Sequence, residues 1–241
     1  MTNKFASVIG KLAKILLIIF LLFIGLVLLI MFFKFSEIER RLGSEDVDYN
    51  KLLDPQYRAD ELTANNDNSQ LITGNEDNYS LGTNHPKITI VEFVDFACPY
   101  CKKSFSKIRE ISLKYNKNIK YIFRDLPIIS EQSASLALAA RCAGEQGLFW
   151  PMHDRLFINQ GIKEKSEILL AAKQSGVEIN KFETCFDAQI YLPQIEKDYN
   201  DATALGIANT GTPVWFVNGH QISGDIPEDI FTKLIENILN K

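Results

Sequence analysis

The longest apolar run of the chain lies near its N-terminus. Residues 15–33 read ILLIIFLLFIGLVLLIMFF, which is 19 residues without a charge and with Gly25 as the only interruption. About 20 apolar residues cross a bilayer core as a helix, whereas buried core helices are usually shorter and keep a polar edge. The run also exceeds the ~7–15 apolar residues of a cleaved signal peptide, and no small-residue cleavage pattern follows it. The pattern predicts an uncleaved transmembrane signal anchor rather than a core helix or a cleaved leader.

The segments on either side of this run predict how the chain is organised around it. Residues 1–14 carry three lysines and no acidic residue, and three further basic residues follow the run among acidic ones. This near tie in positive charge does not fix the orientation, but the short tail favours a cytoplasmic N-terminus and an external C-terminal part. Residues 34–70 are polar and contain an Asn- and Asp-rich stretch, which predicts a flexible linker.

Strand and helix patterns alternate in residues 71–241, which we predict to form the folded domain. Residues 87–96 are β-branched, aromatic and nearly continuously apolar, as in a buried central strand. The other predicted strands are residues 118–124, 214–218 and 221–223, and the predicted helices between them are residues 133–146, 149–158, 165–175, 180–187 and 192–205. A helix also follows the first strand, and an amphipathic helix ends the chain. This order predicts an α/β sheet domain with a helical insert at residues 128–210.

Two local patterns predict specific side-chain contacts. Asp225 precedes the C-terminal helix, with Pro227 in its first turn and Glu228 at the capping-box spacing, so Asp225 is predicted to be the N-cap. Arg124 and Asp125 stand together where the second strand ends, and we expect them to form an ion pair there.

Composition and charge exclude several classes of protein. The chain is 46% hydrophobic and 23% charged, which is close to the globular average and unlike a disordered, collagenous or multi-span membrane protein. Its net charge of -4 argues against nucleic acid as a partner. Beyond residue 33 the net charge is -7, so an anionic bilayer would repel this part and the apolar run would supply the membrane attachment. Four cysteines are too few for a disulfide scaffold but enough for one or two specific roles.

Cys98 and Cys101 stand three residues apart where the first strand gives way to a helix. At that spacing the two sulfurs are within bonding reach, and Pro99 between them suits a first helical turn. Unpaired N–H groups and the partial positive charge of a helix N-terminus stabilise a thiolate. We therefore predict that Cys98 is an exposed nucleophile with a lowered pKa and that Cys101 is more buried.

Three other interpretations of this pair remain open but are disfavoured. A stabilising disulfide would be strained at this spacing, and two inert core cysteines are a further alternative. A zinc site needs a second cysteine or histidine pair, and the other two cysteines lie 43 residues apart while the three histidines are scattered. The sequence favours a redox dithiol, with no metal and no cofactor other than its own redox-active disulfide.

The stretch Gly211-Thr212-Pro213 stands immediately before a predicted strand. Proline at a strand start is a candidate for a cis peptide bond. Because proline lacks an N–H group, it also leaves room for an extended substrate beside the cysteines. By itself the stretch is also compatible with an ordinary trans turn.

Four stretches together resemble the DsbA-like branch of the thioredoxin superfamily. They are, in chain order, VEFVDFACPYC, FRDLP, EQGLFWPMHDRLF and GTPVWFVNG, and they extend over about residues 71–241. The resemblance implies a thioredoxin fold interrupted by a helical domain, and thiol–disulfide exchange on extracytoplasmic proteins. It implies that Cys98 is the attacked cysteine, that Cys101 resolves, and that Pro213 is a cis-proline with Thr212 beside the dithiol. Substrate is then expected to contact Pro99, Tyr100 and Thr212.

The resemblance also implies a role for one acidic residue and a moderate oxidising power for the dithiol. Glu92 lies six residues before Cys98, where the family often has a buried acid, and it is a candidate proton relay for Cys101. A polar residue on a partly open strand face is the alternative. The strongest oxidases of the family carry a histidine in the place of Tyr100, so a milder oxidant is expected here. Glutaredoxins share the CPYC motif but are much shorter and lack the insert.

Cys142 and Cys185 lie on predicted helices of the insert. A structural disulfide between them is plausible in an oxidising compartment, and the resemblance suggests that some relatives have such a pair. Two buried free cysteines, which behave as small apolar residues, are the alternative. His153 is interpreted as a packed helix residue beside Asp154 rather than as a base.

These observations predict a membrane-anchored extracytoplasmic thiol:disulfide oxidoreductase that acts mainly as an oxidase. Its expected partners are cysteine-containing extracytoplasmic proteins and a quinone-linked membrane thiol oxidase that restores the disulfide. A reductase or isomerase with the same dithiol, or an anchored binding module without activity, are the alternatives. Because an oxidising dithiol belongs outside the cytoplasm, this interpretation places the N-terminus inside and the catalytic domain outside.

Overall fold

A computed structural model of the chain describes residues 14, 20–26, 29–31 and 68–240. The chain divides into two compact units, Met1–Tyr49 and Asn50–Lys241. In the first unit, residues 20–26 and 29–31 are helical and their large apolar side chains are exposed. No helix within the described residues is both long and apolar enough to cross a membrane. Most of the predicted tail and linker, and nine of the 19 residues of the predicted anchor, lie outside the described residues.

A five-stranded mixed sheet forms the centre of the second unit. Its strands are β1 (Ser80–Gly82), β2 (Ile88–Val94), β3 (Ile119–Asp125), β4 (Val214–Val217) and β5 (His220–Ser223). The strand order is β1-β3-β2-β4-β5, with β2 and β3 parallel and the other neighbours antiparallel. Strand β2 is buried along nearly its whole length, as predicted for a central strand covered on both faces. The sequence pattern missed β1, because three residues are too short to show an alternation.

Eight helices of the second unit are described, and five of them follow one another without a strand between β3 and β4. They are α1 (Ser69–Thr73), α2 (Pro99–Lys114), α3 (Ser133–Gly144), α4 (Phe149–Ile158), α5 (Lys165–Gln174), α6 (Ile179–Asp187), α7 (Leu192–Ala204) and α8 (Glu228–Leu239). The predicted α/β order and the helical insert are therefore confirmed. Helix α2 connects the two parallel strands as a βαβ crossover, which brings its N-terminus to the carboxyl end of β2.

The predicted N-cap of the last helix is wrong. Helix α8 begins at Glu228 with Pro227 at the N-cap position and no capping side chain. Asp225 lies too far before the first helical turn to reach its N–H groups, and its carboxylate instead accepts a hydrogen bond from Lys107 of α2 at 2.8 Å.

One apolar core runs from the sheet into the helical insert. It joins Val94 and Phe96, at the end of β2, to buried residues of helices α3 to α7. Within it an aromatic group surrounds His153, whose ring centroid lies 5.0 to 6.0 Å from those of Phe96, Phe123, Phe149, Trp150 and Phe157. His153 is buried, its Nδ1 lies 2.8 Å from Asp154, and burial lowers its pKa. This packing is that of a core residue.

A buried ion-pair network ties the insert to the sheet, and it corrects the predicted pairing of two neighbours on β3. Arg124 and Asp125 do not pair with each other, because successive residues of a strand point to opposite sides. Arg124 instead contacts Asp198 at 2.7 Å and Asp201 at 2.5 Å, both on α7. Asp125 lies 2.5 Å from Arg141 of α3, which also contacts Asp198 at 2.8 Å.

A disulfide joins two helices inside the insert. Cys142 of α3 and Cys185 of α6 are bonded, with their Cα atoms 5.8 Å apart and 43 residues between them in sequence. Both residues are buried in the core that the insert shares with the sheet. Closing an interval of this length restricts the unfolded chain, which stabilises the folded state by ~4 kcal/mol in the chain-entropy model.

Candidate active site

A short turn between β2 and α2 carries the first cysteine, and Asp95 fixes this turn. The backbone carbonyl of Asp95 accepts from the N–H of Cys98 at 3.0 Å, and its carboxylate accepts from the N–H of Ala97 at 2.8 Å. The other carboxylate oxygen accepts from the N–H groups of Ile128 and Ile129, each at 2.7 Å. Asp95 therefore attaches the turn to the loop that enters the insert. The sequence analysis did not single out this residue.

Cys98 is the N-cap residue of α2 and Cys101 lies in its first turn. Pro99 is at the start of the helix, where its missing N–H costs no hydrogen bond. Both cysteines are free thiols and both are buried, with only 2% of Cys98 and 1% of Cys101 exposed. The prediction of an exposed Cys98 is therefore wrong, because the loop before β4 covers it and brings the carbonyl oxygen of Thr212 within 3.1 Å of its sulfur.

The surroundings of the two thiols separate their pKa values in opposite directions. A hydrogen bond from the Cys101 thiol is the main cause that lowers the pKa of Cys98 to about 6, against the opposing effect of burial. The Thr212 side chain and the backbone N–H groups of Cys101 and Tyr100 lower it further. Burial is the main cause that raises the pKa of Cys101 well above its usual range, and the hydrogen bond that its thiol donates to Cys98 raises it further. At neutral pH the pair therefore holds one proton, on Cys101.

The residues predicted to contact substrate surround this pair. The bond between Thr212 and Pro213 is cis, and it precedes β4 directly. Pro99 and Tyr100 are exposed, and 55% of Tyr100 is open to solvent. The ammonium group of Lys103 lies 5.2 Å from the centre of the Tyr100 ring. The structure thus brings an exposed face, a buried dithiol and the Thr212 carbonyl together at one end of the sheet.

Glu92 is an acid enclosed on β2 beside the dithiol. It is 2% exposed, so it does not lie on an open strand face. The hydroxyl of Tyr121 donates to one carboxylate oxygen at 2.6 Å, and the hydroxyl of Ser104 donates to the other at 3.1 Å. Burial raises the pKa of Glu92 to about 8 despite these two hydrogen bonds, so the carboxyl is mostly protonated at neutral pH. Tyr121 and Ser104 are partners that the sequence analysis did not identify.

A Glu92→Gln variant is expected to be more stable than the parent at neutral pH. The pKa of Glu92 is 4.5 in the unfolded chain and about 8 in the folded protein, so the protonated carboxyl favours the folded state fully below pH 4.5. Between pH 4.5 and 8 the unfolded chain releases this proton more readily than the folded protein, and the folded state loses stability as the pH rises. Glutamine keeps the hydrogen-bonding shape without releasing a proton, and one pKa unit corresponds to about 1.4 kcal/mol. Urea unfolding at pH 7 should therefore show a gain of ~3 kcal/mol that disappears near pH 4.

The exposed carboxylate of Glu236 provides the control for this measurement. It accepts a hydrogen bond from Tyr115 at 2.9 Å but is about half exposed. A Glu236→Gln variant should not show the gain in stability at pH 7 that the burial of Glu92 predicts. A Glu92→Gln variant that is no more stable than the parent at pH 7 would show that Glu92 is not held protonated by burial.

The fold and this dithiol define the class of the protein: a thioredoxin-like α/β protein with a helical insert and a buried cysteine pair at the start of a helix. In the described part of the chain, no three His, Cys, Asp or Glu side chains are grouped as metal ligands. A family model described as thioredoxin matches residues 74–237. The chain therefore belongs to the thioredoxin family.

Two solved structures illustrate this likeness over most of the chain. BdbD from Bacillus subtilis, in its oxidised form, is 25% identical with a TM-score of 0.60, covering 69% of this chain and 95% of BdbD. The thiol–disulfide exchange protein alpha-DsbA2 from Wolbachia pipientis is 20% identical with a TM-score of 0.63, covering 80% of this chain and 99% of that one. At the latter identity the likeness concerns the fold.

Several curated relatives that match this chain are sodium/proton antiporters. One of them, the Na(+)/H(+) antiporter NhaA 1 of Salinispora arenicola, is 32% identical over 145 residues. The match covers 59% of this chain but 22% of the antiporter, so the chain spans about a fifth of the length of these relatives. The likeness is that of one domain within a longer protein.

Proposed function

We propose that Cys98 and Cys101 are the redox pair of a membrane-anchored, extracytoplasmic oxidoreductase that converts substrate dithiols to disulfides. The observation that carries this proposal is the placement of both cysteines at the start of one helix, Cys98 at the N-cap and Cys101 in the first turn, where their surroundings shift the two pKa values in opposite directions. A low pKa makes Cys98 a stable thiolate and a good leaving group. Stabilising the reduced pair in this way makes its disulfide a better oxidant.

The exchange begins with the Cys98–Cys101 disulfide. A substrate thiolate attacks the sulfur of Cys98, the bond to Cys101 breaks, and Cys101 leaves as a thiolate that takes up a proton. A second substrate thiolate then attacks the substrate's own sulfur in the mixed disulfide and releases Cys98 as a thiolate. The substrate has lost two electrons and gained a disulfide, and the enzyme holds both electrons as the reduced pair. No cofactor beyond the redox-active disulfide takes part.

Glu92 is suited to supply the proton that Cys101 needs. Cys101 leaves as a strongly basic thiolate in a buried site, so its release is favoured when an acid lies nearby. Glu92 interacts electrostatically with Cys101 and carries a proton at neutral pH. The hydroxyls of Tyr121 and Ser104 keep its carboxyl oriented. In this role Glu92 is a general acid during oxidation of the substrate and a base when the disulfide is restored.

Pro99, Tyr100 and Thr212 are proposed to contact the substrate. Pro99 and Tyr100 form the exposed surface over the dithiol, and Pro213 keeps the opposite side free of an N–H group. Tyr100 has no charge with which to hold the Cys98 thiolate, so we place this enzyme below the strongest oxidases in oxidising power.

Residues 15–33 are proposed to anchor the protein in the membrane, with residues 1–14 in the cytoplasm. The apolar run supports this arrangement, and the similar domain found in antiporters is part of a membrane protein. An anchor raises the effective concentration of the domain near other membrane components. A quinone-linked membrane thiol oxidase is the proposed source of oxidising equivalents, and cysteine-containing extracytoplasmic proteins are the proposed substrates.

A Cys101→Ser variant tests the proposal by trapping its intermediate. In this variant the Cys98 thiolate attacks a disulfide of an oxidised substrate, displaces one substrate sulfur as a thiolate and forms a mixed disulfide that no Cys101 thiol can resolve. We expect adducts that migrate with the membrane fraction, disappear on reduction and map to Cys98 by mass spectrometry. The matched Cys98→Ser variant should give none. Equal adducts from both variants, or adducts on Cys142 or Cys185, would contradict the proposal.

A further inference from the structure

The helical insert contacts the backbone of the dithiol turn through one side-chain amide. Gln160 lies in the loop that follows α4, in the insert. Its Nε2 donates to the carbonyl oxygen of Phe96 at 2.9 Å and to that of Cys98 at 2.8 Å. The side-chain amide of Gln160 thus donates both of its hydrogens to backbone carbonyls, one on each side of Ala97. A second link runs from Lys102 of α2, whose ammonium group donates to the carbonyl of Ile158 at 3.4 Å.

The dithiol turn is therefore held from two sides. Asp95 accepts from the N–H groups of Ala97 and Cys98, and Gln160 donates to the carbonyls of Phe96 and Cys98. The Cys98 carbonyl is also the acceptor of the first helical hydrogen bond of α2, from the N–H of Lys102 at 3.1 Å. Fixing this carbonyl fixes the orientation of the peptide group at the helix start.

That orientation decides how the Cys98 sulfur meets the helix N-terminus. Cys98 has the extended backbone conformation of an N-cap residue, with φ -78° and ψ 123°. In this conformation Cys98 lies directly before the first free N–H groups of the helix, those of Tyr100 and Cys101, which lower the pKa of its thiol although its sulfur makes no capping hydrogen bond. A change in ψ of Cys98 would move its sulfur away from these donors.

We propose that Gln160 is a positioning residue, supplied by the helical insert, that keeps Cys98 in the N-cap geometry that its thiolate requires. This inference rests on the proposed role of Cys98. Gln160 touches neither sulfur, so it acts through the backbone of the turn. It also gives the insert a direct influence on the chemistry of a dithiol that is built on the sheet domain.

The test compares two glutamines that make equivalent hydrogen bonds. Gln146 also bridges backbone atoms through its amide: it donates to the carbonyl of Glu178 at 3.2 Å and accepts from the N–H of the same residue at 2.7 Å. These contacts lie within the insert and away from the dithiol turn. Gln160→Met and Gln146→Met each remove two such hydrogen bonds while keeping an unbranched side chain of similar length.

The readout is the pH dependence of Cys98 alkylation by iodoacetamide, followed by mass spectrometry on the reduced full-length chain. In the parent the midpoint should lie near pH 6. In Gln160→Met it should rise by about 0.5 to 1 pH unit, because the loss of a hydrogen bond changes such an equilibrium several-fold. Gln146→Met should keep the parental midpoint even if it loses as much thermal stability. The other titratable groups that act on Cys98, Cys101 and Glu92, are the same in all three proteins.

Three outcomes would overturn the inference in distinguishable ways. A parental midpoint near the ordinary thiol value would contradict the proposed function and the role of Gln160 together. A parental midpoint near 6 that Gln160→Met leaves unchanged would contradict only the role of Gln160, as would an equal shift in Gln146→Met. If Gln160→Met does not fold, Gln160→Leu removes the same two hydrogen bonds without adding a charge, and its midpoint must then exceed that of the parent.

Discussion

A Cys98→Ser variant is expected to lose oxidation of a reduced dithiol peptide by ~10³-fold or more, as when a covalent nucleophile is removed from an enzyme. Serine offers no sulfur for the substrate to attack and forms no disulfide with Cys101. The N–H groups of Tyr100 and Cys101 and the thiol of Cys101, which lower the pKa of Cys98, would have no thiolate to stabilise. Stopped-flow fluorescence of a labelled dithiol peptide with the pre-oxidised full-length protein would measure the loss.

The second disulfide provides the control for this loss. A Cys142→Ala/Cys185→Ala double variant removes a bond that lies inside the insert and leaves the dithiol intact. It should oxidise the peptide at close to the parental rate while losing up to ~4 kcal/mol of stability. Peptide oxidation that survives in Cys98→Ser but fails in the double variant would mean that the wrong pair has been assigned.

Replacing Asp198 by alanine is expected to lower the free energy of unfolding by about 3 to 5 kcal/mol. Asp198 is buried, and its carboxylate contacts the guanidinium groups of Arg124 at 2.7 Å and Arg141 at 2.8 Å. It also accepts from the backbone N–H of Asp125 at 2.9 Å and from the side chain of Asn78. Without the Asp198 carboxylate, the buried guanidinium groups of Arg124 and Arg141 lose part of their compensating negative charge. The N–H of Asp125 and the side-chain amide of Asn78 also lose their acceptor, and unpaired buried charges and donors lower the free energy of unfolding.

An exposed aspartate on the neighbouring helix gives the matched comparison. Asp187 lies 2.5 Å from Lys165, but 57% of its side chain is exposed. Because exposed ion pairs are worth at most about 1 kcal/mol, Asp187→Ala should change the unfolding free energy by no more than that. Equal, small effects of Asp198→Ala and Asp187→Ala in urea denaturation would show that the buried network does not hold the insert to the sheet.

The hydrophobic pattern predicted most elements of the fold because each is a local signal. A continuous apolar run marked β2, and five successive candidate helical segments marked the insert. Asp225 resembled a helix cap in sequence, yet the position of Lys107, more than a hundred residues earlier, gave its carboxylate a closer partner. Likewise, Arg124 and Asp125 are neighbours in sequence whose true partners lie on α3 and α7.

The candidate site also combines features that are local in the sequence with features that only the folded chain brings together. Cys98 and Cys101 are recognisable from the sequence because they stand three positions apart at the start of a helix, which brings their sulfurs together. The hydroxyl of Tyr121 reaches Glu92 only because Glu92 pairs with Phe123 across the sheet, which puts Tyr121, two residues earlier, on the same face. The register of two strands is a tertiary property, and so is the approach of a loop of the insert to the carbonyl of Cys98.

The equilibrium of the Cys98–Cys101 pair with reduced and oxidised glutathione tests the central claim most directly. The claim is that a stabilised Cys98 thiolate makes this disulfide an oxidant of protein dithiols. We expect a reduction potential well above the value of about -270 mV for thioredoxin, and below the value of about -120 mV for the strongest oxidase of the DsbA type. A potential at or below that of thioredoxin would contradict the claim and identify a reductase instead.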